Sequence, residues 1–102
     1  MATEVRDNPD RSRYEILVDG EVAGFADYRL REGRITFTHT EVDDAYEGEG
    51  LGSTLVRHGL DAARDAGLAV FPSCPFTADW IRHHPEYVEL VPENVRAKYD
   101  LA

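Results

Sequence analysis

The sequence predicts an α/β fold in which an antiparallel hairpin leads into a strand, helix, strand crossover, forming a mixed sheet flanked by helices. Three patterns predict it: apolar alternation around Asp19-Gly20, a β-forming stretch after Glu32-Gly33, and an amphipathic helical segment followed by a short apolar run. A chain of 102 residues can bury one core. We expect a mobile N-terminal lead-in over residues 1–12 and a single domain over residues 13–102.

The first two predicted strands form a hairpin. Tyr14, Ile16 and Val18 alternate with polar residues, as in a strand with one buried face. Asp19-Gly20 favours a two-residue turn. The period of two then continues beyond the turn, through Val22, Ala26, Tyr28 and Leu30.

A third strand, a helix and a fourth strand follow. The third strand covers residues 34–42 and places Ile35, Phe37 and His39 on one face. The helix covers residues 51–66, with Gly67 as its stop, and its apolar face carries Leu51, Leu55, Ala62 and Ala66. Residues 68–73 are short and apolar, as in a buried strand. This order predicts a right-handed parallel crossover between the third and fourth strands.

Two more helices are expected near the C-terminus. One covers residues 78–84 and ends before Pro85, because proline cannot continue a helix. Another starts near Pro92, since proline suits the first position of a helix.

The composition narrows the class of protein. Eleven basic and twenty acidic residues give a net charge of −9, which disfavours binding to nucleic acid or to anionic membranes. The sequence shows neither a membrane-spanning apolar run nor a signal-peptide pattern, so we expect a cytoplasmic protein. The single cysteine excludes an intramolecular disulfide. We expect a monomer or a weak homodimer.

The stretch "EGEGLGSTL" places three alternating glycines where the chain passes from a predicted strand into a predicted helix. Backbone N–H groups in that position can hold a phosphate. A dinucleotide fingerprint would need a third glycine at Ser53, and a Walker loop would need a lysine there. Both of these phosphate motifs are therefore excluded, and a loop at a helix start without a ligand is the structural alternative.

What remains is Glu47-x-x-Gly50-x-Gly52, which resembles the Q/R-x-x-G-x-G/A loop of GNAT-type N-acetyltransferases. Glu47 departs from that pattern, since the family usually has arginine or glutamine there. "HTEV" at 39–42, "CPF" at 74–76 and "IRHHPEY" at 81–87 resemble a small single-domain subgroup of GNAT-like proteins. The resemblance covers about residues 13–91.

The resemblance implies a minimal GNAT-like fold and acetyl transfer from acetyl coenzyme A (acetyl-CoA) to an amine. It implies that the coenzyme's pyrophosphate meets N–H groups around Gly48 to Ser53, and that the thioester reaches His39 and Cys74, the expected catalytic residues. The residues expected to contact the coenzyme are Val42, Glu47, Gly48, Glu49, Gly50, Leu51, Gly52, Ser53, Cys74, Pro75 and Phe76.

Two mechanisms are open at this point. His39 or a carboxylate removes a proton from the amine, which attacks the thioester directly, or Cys74 first takes the acetyl group. Each residue also has a structural alternative: Cys74 as a small buried side chain and His39 as a core histidine. Glu41, Asp43 and Asp44 can act as a base or lie solvated in a turn.

The sequence disfavours some other classes of function and leaves one open. The adjacent histidines at 83 and 84 point about 100° apart on a helix, so we expect no metal site. A coenzyme A-binding or protein-interaction module with little catalysis is the second hypothesis, because of Glu47 and the small size. A thiol redox protein is disfavoured by the absence of a C-x-x-C pair.

Overall fold

The computed structural model describes residues 2–102 and shows one five-stranded sheet whose strands lie in sequence order. The strands are β1 (Thr3–Asn8), β2 (Arg13–Val18), β3 (Glu21–Arg31), β4 (Arg34–Val42) and β5 (Ala69–Pro72), and the α-helices are α1 (Leu51–Ala66) and α2 (Pro75–Arg82). β1 to β4 pair antiparallel, and β5 pairs parallel to β4. The predicted mixed α/β sheet with its hairpin and parallel crossover is confirmed.

The expectation of a mobile lead-in over residues 1–12 is wrong for most of that segment, because Thr3–Asn8 forms β1. This strand pairs with β2 along its whole length. Val5 is its only apolar residue besides the Thr3 methyl group, so no alternation marks it in the sequence. Instead, polar contacts attach it to the sheet: Tyr28 donates a hydrogen bond to Asp7, and Arg6 pairs with Glu15.

The predicted turn at Asp19-Gly20 is confirmed, with φ angles of 49° and 86°. Two successive positive φ angles match the right-handed twist of a tight hairpin. β2 and β3 then shift register between Ile16 and Leu17, which interrupts the period of two. As a result Ala23 is buried, whereas Val22, predicted to continue the alternation, is 43% exposed.

Helix α1 has the predicted bounds, and Gly67 ends it with a left-handed φ of 70°. Its buried face differs from the expected one, because Val56, Leu60 and Ala63 are buried while Ala66 is exposed. These side chains join a single core with residues of the sheet and of α2. Within residues 2–102, neither helix is long and apolar enough to cross a bilayer.

The C-terminal third differs from the prediction in its helix starts. α2 begins at Pro75, three residues earlier than expected, because Cys74 has an extended conformation and Pro75 takes the first helical position. The chain then forms two 3-10 helical segments, Pro85–Leu90 and Glu93–Tyr99, and the second lies where another helix was expected. Both α-helices contact the sheet and one another.

Candidate active site

The site starts where β4 and β5 diverge. Their parallel pairing ends at Phe37 and Pro72, and the Cys74 N–H then donates to the Phe37 carbonyl at 2.8 Å. β4 continues to Val42 with β3 as its only partner strand. Residues 38–42 therefore have one edge of their backbone free of strand pairing, and an opening lies between this edge and α2.

A β-bulge lies in β4 at this opening. Tyr28 of β3 is opposite Phe37, but the next residue back, Asp27, is opposite His39, so Thr38 is the extra residue. An extra residue reverses the alternation of side chains beyond it. Phe37 is buried in the core, whereas Thr38 and His39 are both exposed.

The expectation that His39 and Cys74 face one cleft is therefore wrong. The Cys74 sulfur contacts the Thr40 hydroxyl at 3.5 Å, on the helix-covered face of the sheet. His39 lies on the opposite face, with its ring centroid 6.0 Å from that of Phe25 and its Nε2 3.5 Å from the Glu41 carboxylate. The side chains of the two predicted catalytic residues therefore lie on opposite faces of the sheet at β4.

A groove of about 380 Å³ extends from the opening to the start of α1. It is lined by Thr40, Val42, Tyr46, Glu47, Gly48, Gly50, Leu51, Gly52, Ser53 and Phe76. Eight of these ten are among the predicted coenzyme contacts. Three predicted contacts, Glu49, Cys74 and Pro75, do not line the groove. Thr40 and Tyr46 were missed, since the bulge turns Thr40 inward and Tyr46 follows in a 3-10 turn.

The N-terminus of α1 forms one end of the groove. Gly50 precedes the helix with a left-handed φ of 74°, and its first hydrogen bond runs from the Thr54 N–H to the Gly50 carbonyl at 3.1 Å. Among residues 2–102, no side chain caps this end and no acidic residue occupies its first turn. The N–H groups that precede the first helical bond and the positive end of the helix dipole are therefore available to an anion.

Gly52 is needed for a close approach within the groove. A Cβ atom there would lie 2.9 Å from the Phe76 ring, closer than real Cβ contacts allow. Phe76 is 46% exposed, although large apolar side chains are usually covered. The Phe76 ring of α2 thus lies directly against the first turn of α1 and forms an apolar wall beside the N-terminus of α1.

Two contacts fix α2 to the start of α1. The Trp80 indole N–H donates to the Ser53 hydroxyl at 2.8 Å, and the Arg57 guanidinium lies 5.2 Å from the Trp80 ring. Trp80 also stacks on His84, with ring centroids 3.8 Å apart. The Ser53 side chain is thus engaged by α2, while its backbone N–H precedes the first hydrogen bond of α1.

Cys74 is 3% exposed and occupies the N-cap position of α2. Burial raises the pKa of its thiol, but the donors of Thr40, Thr77 and Phe76 that the ionised sulfur would face lower it more, and the net pKa is below the ordinary value. The side chain is thus buried, as in the structural alternative, but its sulfur contacts the Thr40 hydroxyl, which lines the groove.

The acidic residues near the groove have different roles. Asp43 accepts from the Ala45 N–H at 2.9 Å, so it stabilises the turn. Glu41 contacts His39. Glu47 is exposed and lines the groove without an ion pair among residues 2–102. The same part of the chain contains no cluster of three or more His, Cys, Asp or Glu side chains suited to a metal ion.

The fold and the groove are those of a known class of protein. The profile described as GCN5-related N-acetyl-transferase matches residues 13–90, more than half of the chain, so the protein belongs to this family. The resemblance noted in the sequence is thereby confirmed.

Particular relatives are known. Streptothricin acetyltransferase of Streptomyces lavendulae is 36% identical over 66 residues, which cover 63% of this chain and 35% of that enzyme. The ribosomal-protein-S18-alanine N-acetyltransferase of Escherichia coli superposes with a TM-score of 0.55 at 27% identity, over 57% of this chain and 38% of that one. Ard1 of Thermoplasma volcanium shares the fold, with a TM-score of 0.50 at 24% identity over 56% of this chain and 39% of that one. The chain spans little more than a third of each relative.

Proposed function

We propose that this protein is an acetyl-CoA-dependent N-acetyltransferase that transfers an acetyl group to an amine. The observation that carries the proposal is the groove between the diverging strands β4 and β5 that ends on the uncapped N-terminus of α1. This geometry suits a ligand with an anion at one end and an extended arm. Membership of the N-acetyltransferase family supplies the reaction class.

The residues at the helix start fit a pyrophosphate in two respects. Free N–H groups of the first turn of α1 can donate to its oxygens, and the absence of a side chain at Gly52 lets the backbone come close. Glu47 is the unfavourable element, because its carboxylate would repel a pyrophosphate. Its exposure to solvent weakens that repulsion, so we expect the backbone donors to dominate.

The extended arm would follow the open edge of β4. Unpaired backbone groups of residues 38–42 can hydrogen-bond amide groups of an extended ligand, as an added strand does. The thioester would then lie near Thr40, which both lines the groove and contacts Cys74.

Two routes of transfer follow. In the direct route the amine loses its proton to His39 or a carboxylate and attacks the thioester carbonyl, and coenzyme A leaves as a thiolate that then gains a proton. In the covalent route the Cys74 thiolate attacks the carbonyl, coenzyme A leaves, and the amine then displaces Cys74 from the acetyl group. The His39 position, across β4 from Cys74, suits a base that meets an amine arriving from the other face of the sheet.

The uncovered face near His39 offers a place for the acceptor. A cavity of about 530 Å³ there has Phe25, Glu41, Asp43 and Asp44 in its lining and shares Val42 with the groove. Arg13 also lines it, but its guanidinium lies over the Phe25 ring at 4.5 Å and pairs with Glu15. The remaining carboxylates favour a cationic amine as acceptor. The relatives' names point to different acceptors, streptothricin and an alanine of a ribosomal protein.

The test is acetyl-CoA binding followed by turnover. We expect acetyl-CoA to raise the melting temperature of the full chain, and amines from a panel of cationic and neutral acceptors to release coenzyme A. Binding without turnover would favour the second candidate, a coenzyme A-binding or protein-interaction module. The separation of His39 from Cys74 is the observation that favours this candidate. No binding of acetyl-CoA would exclude both the acetyltransferase and a coenzyme A-binding module. A cytoplasmic location and a monomeric or weakly dimeric state stay predictions.

A further inference from the structure

One buried hydroxyl group near the site lacks a partner. Thr77 is 1% exposed, and its Oγ1 is the one buried side-chain polar atom of residues 2–102 without a hydrogen bond. A buried hydroxyl without a partner reduces stability, so such groups are rare in folded proteins. The Thr77 hydroxyl is therefore free to donate to a neighbouring group that becomes an acceptor.

The position of Thr77 identifies that group. Cys74 is the N-cap residue of α2, and Thr77 is the third helical residue. In a capping box, the N-cap side chain accepts a hydrogen bond from the N–H of that third residue, and the side chain of the third residue reaches back toward the cap. The neutral Cys74 thiol does not cap the helix in this way; it donates to the Thr40 hydroxyl at 3.5 Å.

We propose that Thr77 is a positioning residue that holds the Cys74 sulfur as a buried thiolate, by donating its otherwise unpaired hydroxyl to the ionised sulfur. The thiol proton leaves to solvent, and the Thr40 hydroxyl rotates from acceptor to donor. The N–H groups of Phe76 and Thr77 complete the set of donors at the helix start. The two threonines thus give the sulfur the acceptor role that serine or aspartate usually has at an N-cap.

The surroundings of the sulfur support this assignment. The groups that lower the pKa of Cys74 are the Thr40 hydroxyl and the donors of Thr77 and Phe76, and they outweigh the opposing effect of burial. No acidic or basic side chain of β4, β5, α1 or α2 in the described chain contributes, and the neighbouring His39 faces away. Hydroxyl and backbone donors, rather than a charged partner, therefore stabilise the ionised form.

The inference deepens the proposed function, since such a thiolate is the nucleophile of the covalent route, but it concerns the free chain and needs no acetyl-CoA. Cys74 is the only cysteine, so thiolate ultraviolet absorbance reports on it alone once a Cys74→Ser reference is subtracted. The experiment titrates this absorbance between about pH 5 and pH 9, around the ordinary thiol pKa. The variants are Thr77→Val, Thr77→Ser and, as a matched control on β4, Thr36→Val.

We expect Thr77→Val to shift the midpoint upward by about one pH unit, which corresponds to about tenfold less thiolate well below the midpoint. Thr77→Ser keeps the hydroxyl and should titrate like the wild type, as should Thr36→Val. The Thr77→Val melting temperature, measured below the midpoint, should not fall, because the lost hydroxyl makes no bond to the neutral thiol. A Thr77→Val midpoint equal to that of the wild type, or a shift shared by Thr36→Val, would overturn the proposal. If the wild type failed to bind acetyl-CoA but Thr77→Val still shifted the midpoint, only the proposed function would be contradicted.

Discussion

The Trp80 indole N–H and the Ser53 hydroxyl form a 2.8 Å hydrogen bond that joins α2 to the first turn of α1. Ser53 lines the groove, and Trp80 is buried, with the Arg57 guanidinium 5.2 Å from its ring and His84 stacked on it. This hydrogen bond therefore links the two helices that border the groove, within an aromatic cluster.

A double-mutant cycle tests this contact. Trp80→Phe removes the N–H but keeps an aromatic ring, and Ser53→Ala removes the acceptor. Each should destabilise the fold, and the double variant should be about 1 kcal/mol less destabilised than the sum of the two, since they share one bond. Urea unfolding followed by circular dichroism is the measurement, because Trp80→Phe removes the only tryptophan. Additive effects would show that the bond contributes nothing.

Two glycines of α1 give a matched comparison. A Cβ at Gly52 would meet the Phe76 ring at 2.9 Å, and a Cβ at Gly59 would meet the Phe37 ring at 3.1 Å. Phe76 is 46% exposed and can move, whereas Phe37 is 3% exposed and cannot. We expect Gly59→Ala to lower the free energy of unfolding by about 1–3 kcal/mol through overpacking, and Gly52→Ala to change it by less than about 1 kcal/mol.

For acetyl-CoA binding, we expect Gly52→Ala to be the more damaging of the two variants. Gly52→Ala displaces Phe76 and narrows the groove, so its affinity for acetyl-CoA should fall, while folded Gly59→Ala should bind as the wild type does. Urea unfolding and calorimetric titration measure the two effects. Equal losses of stability in both variants, or unchanged binding in Gly52→Ala, would contradict this role of Gly52.

The buried carboxylate of Glu15 predicts how stability depends on pH. Burial raises its pKa, but hydrogen bonds from Arg13, Asn8 and Arg6 outweigh burial and hold the pKa below its usual range. A carboxyl whose folded pKa is depressed stabilises the fold above its unfolded pKa, and this stabilisation is lost as the pH falls toward the folded pKa. Glu15→Gln should therefore cost about 1–3 kcal/mol at neutral pH and lose less stability on acidification.

Urea unfolding at neutral pH and at several acidic pH values measures this difference. Glu32→Gln is the matched control, since Glu32 is exposed and makes no ion pair among the described residues. It should match the wild type throughout. Parallel pH curves for the wild type and Glu15→Gln would refute the assignment.

The covalent route predicts a strong effect of Cys74→Ala. We expect turnover to fall by more than about 100-fold, as for loss of a nucleophile, while the acetyl-CoA affinity stays unchanged because Cys74 does not line the groove. Steady-state kinetics and calorimetry separate the two quantities, and mass spectrometry of the wild type should trap acetyl on Cys74. A fully active Cys74→Ala variant would exclude the covalent route and leave direct attack.

Much of the fold could be predicted because residues typical of turns and helix ends mark the element boundaries in the sequence. Gly50 and Gly67 have left-handed φ angles of 74° and 70° at the two ends of α1, where glycine is strongly preferred, and both helix bounds were predicted. The turn at Asp19-Gly20 likewise fixed the β2–β3 hairpin. Local backbone conformations that only a few residues adopt are readable from sequence.

The predictions that were wrong, for β1 and for His39, concern features that depend on contacts between strands. β1 is attached by backbone pairing and polar contacts such as Tyr28 to Asp7, which leave no hydrophobic period. The extra residue Thr38 reverses the side-chain alternation of β4, and this single bulge moved His39 away from Cys74 and brought Thr40 into the groove. Bulges depend on the neighbouring strand, so one strand's own sequence does not reveal them.

The central claim is that the start of α1 binds the pyrophosphate of acetyl-CoA, and calorimetric titration of the wild type, Glu47→Gln and Glu32→Gln tests it most directly. Both variants remove one negative charge, but only Glu47 lines the groove. We predict saturable one-to-one binding to all three, with Glu47→Gln binding about two- to fivefold more tightly and Glu32→Gln binding as the wild type does. Absence of saturable binding, or equal gains in both variants, would contradict the account.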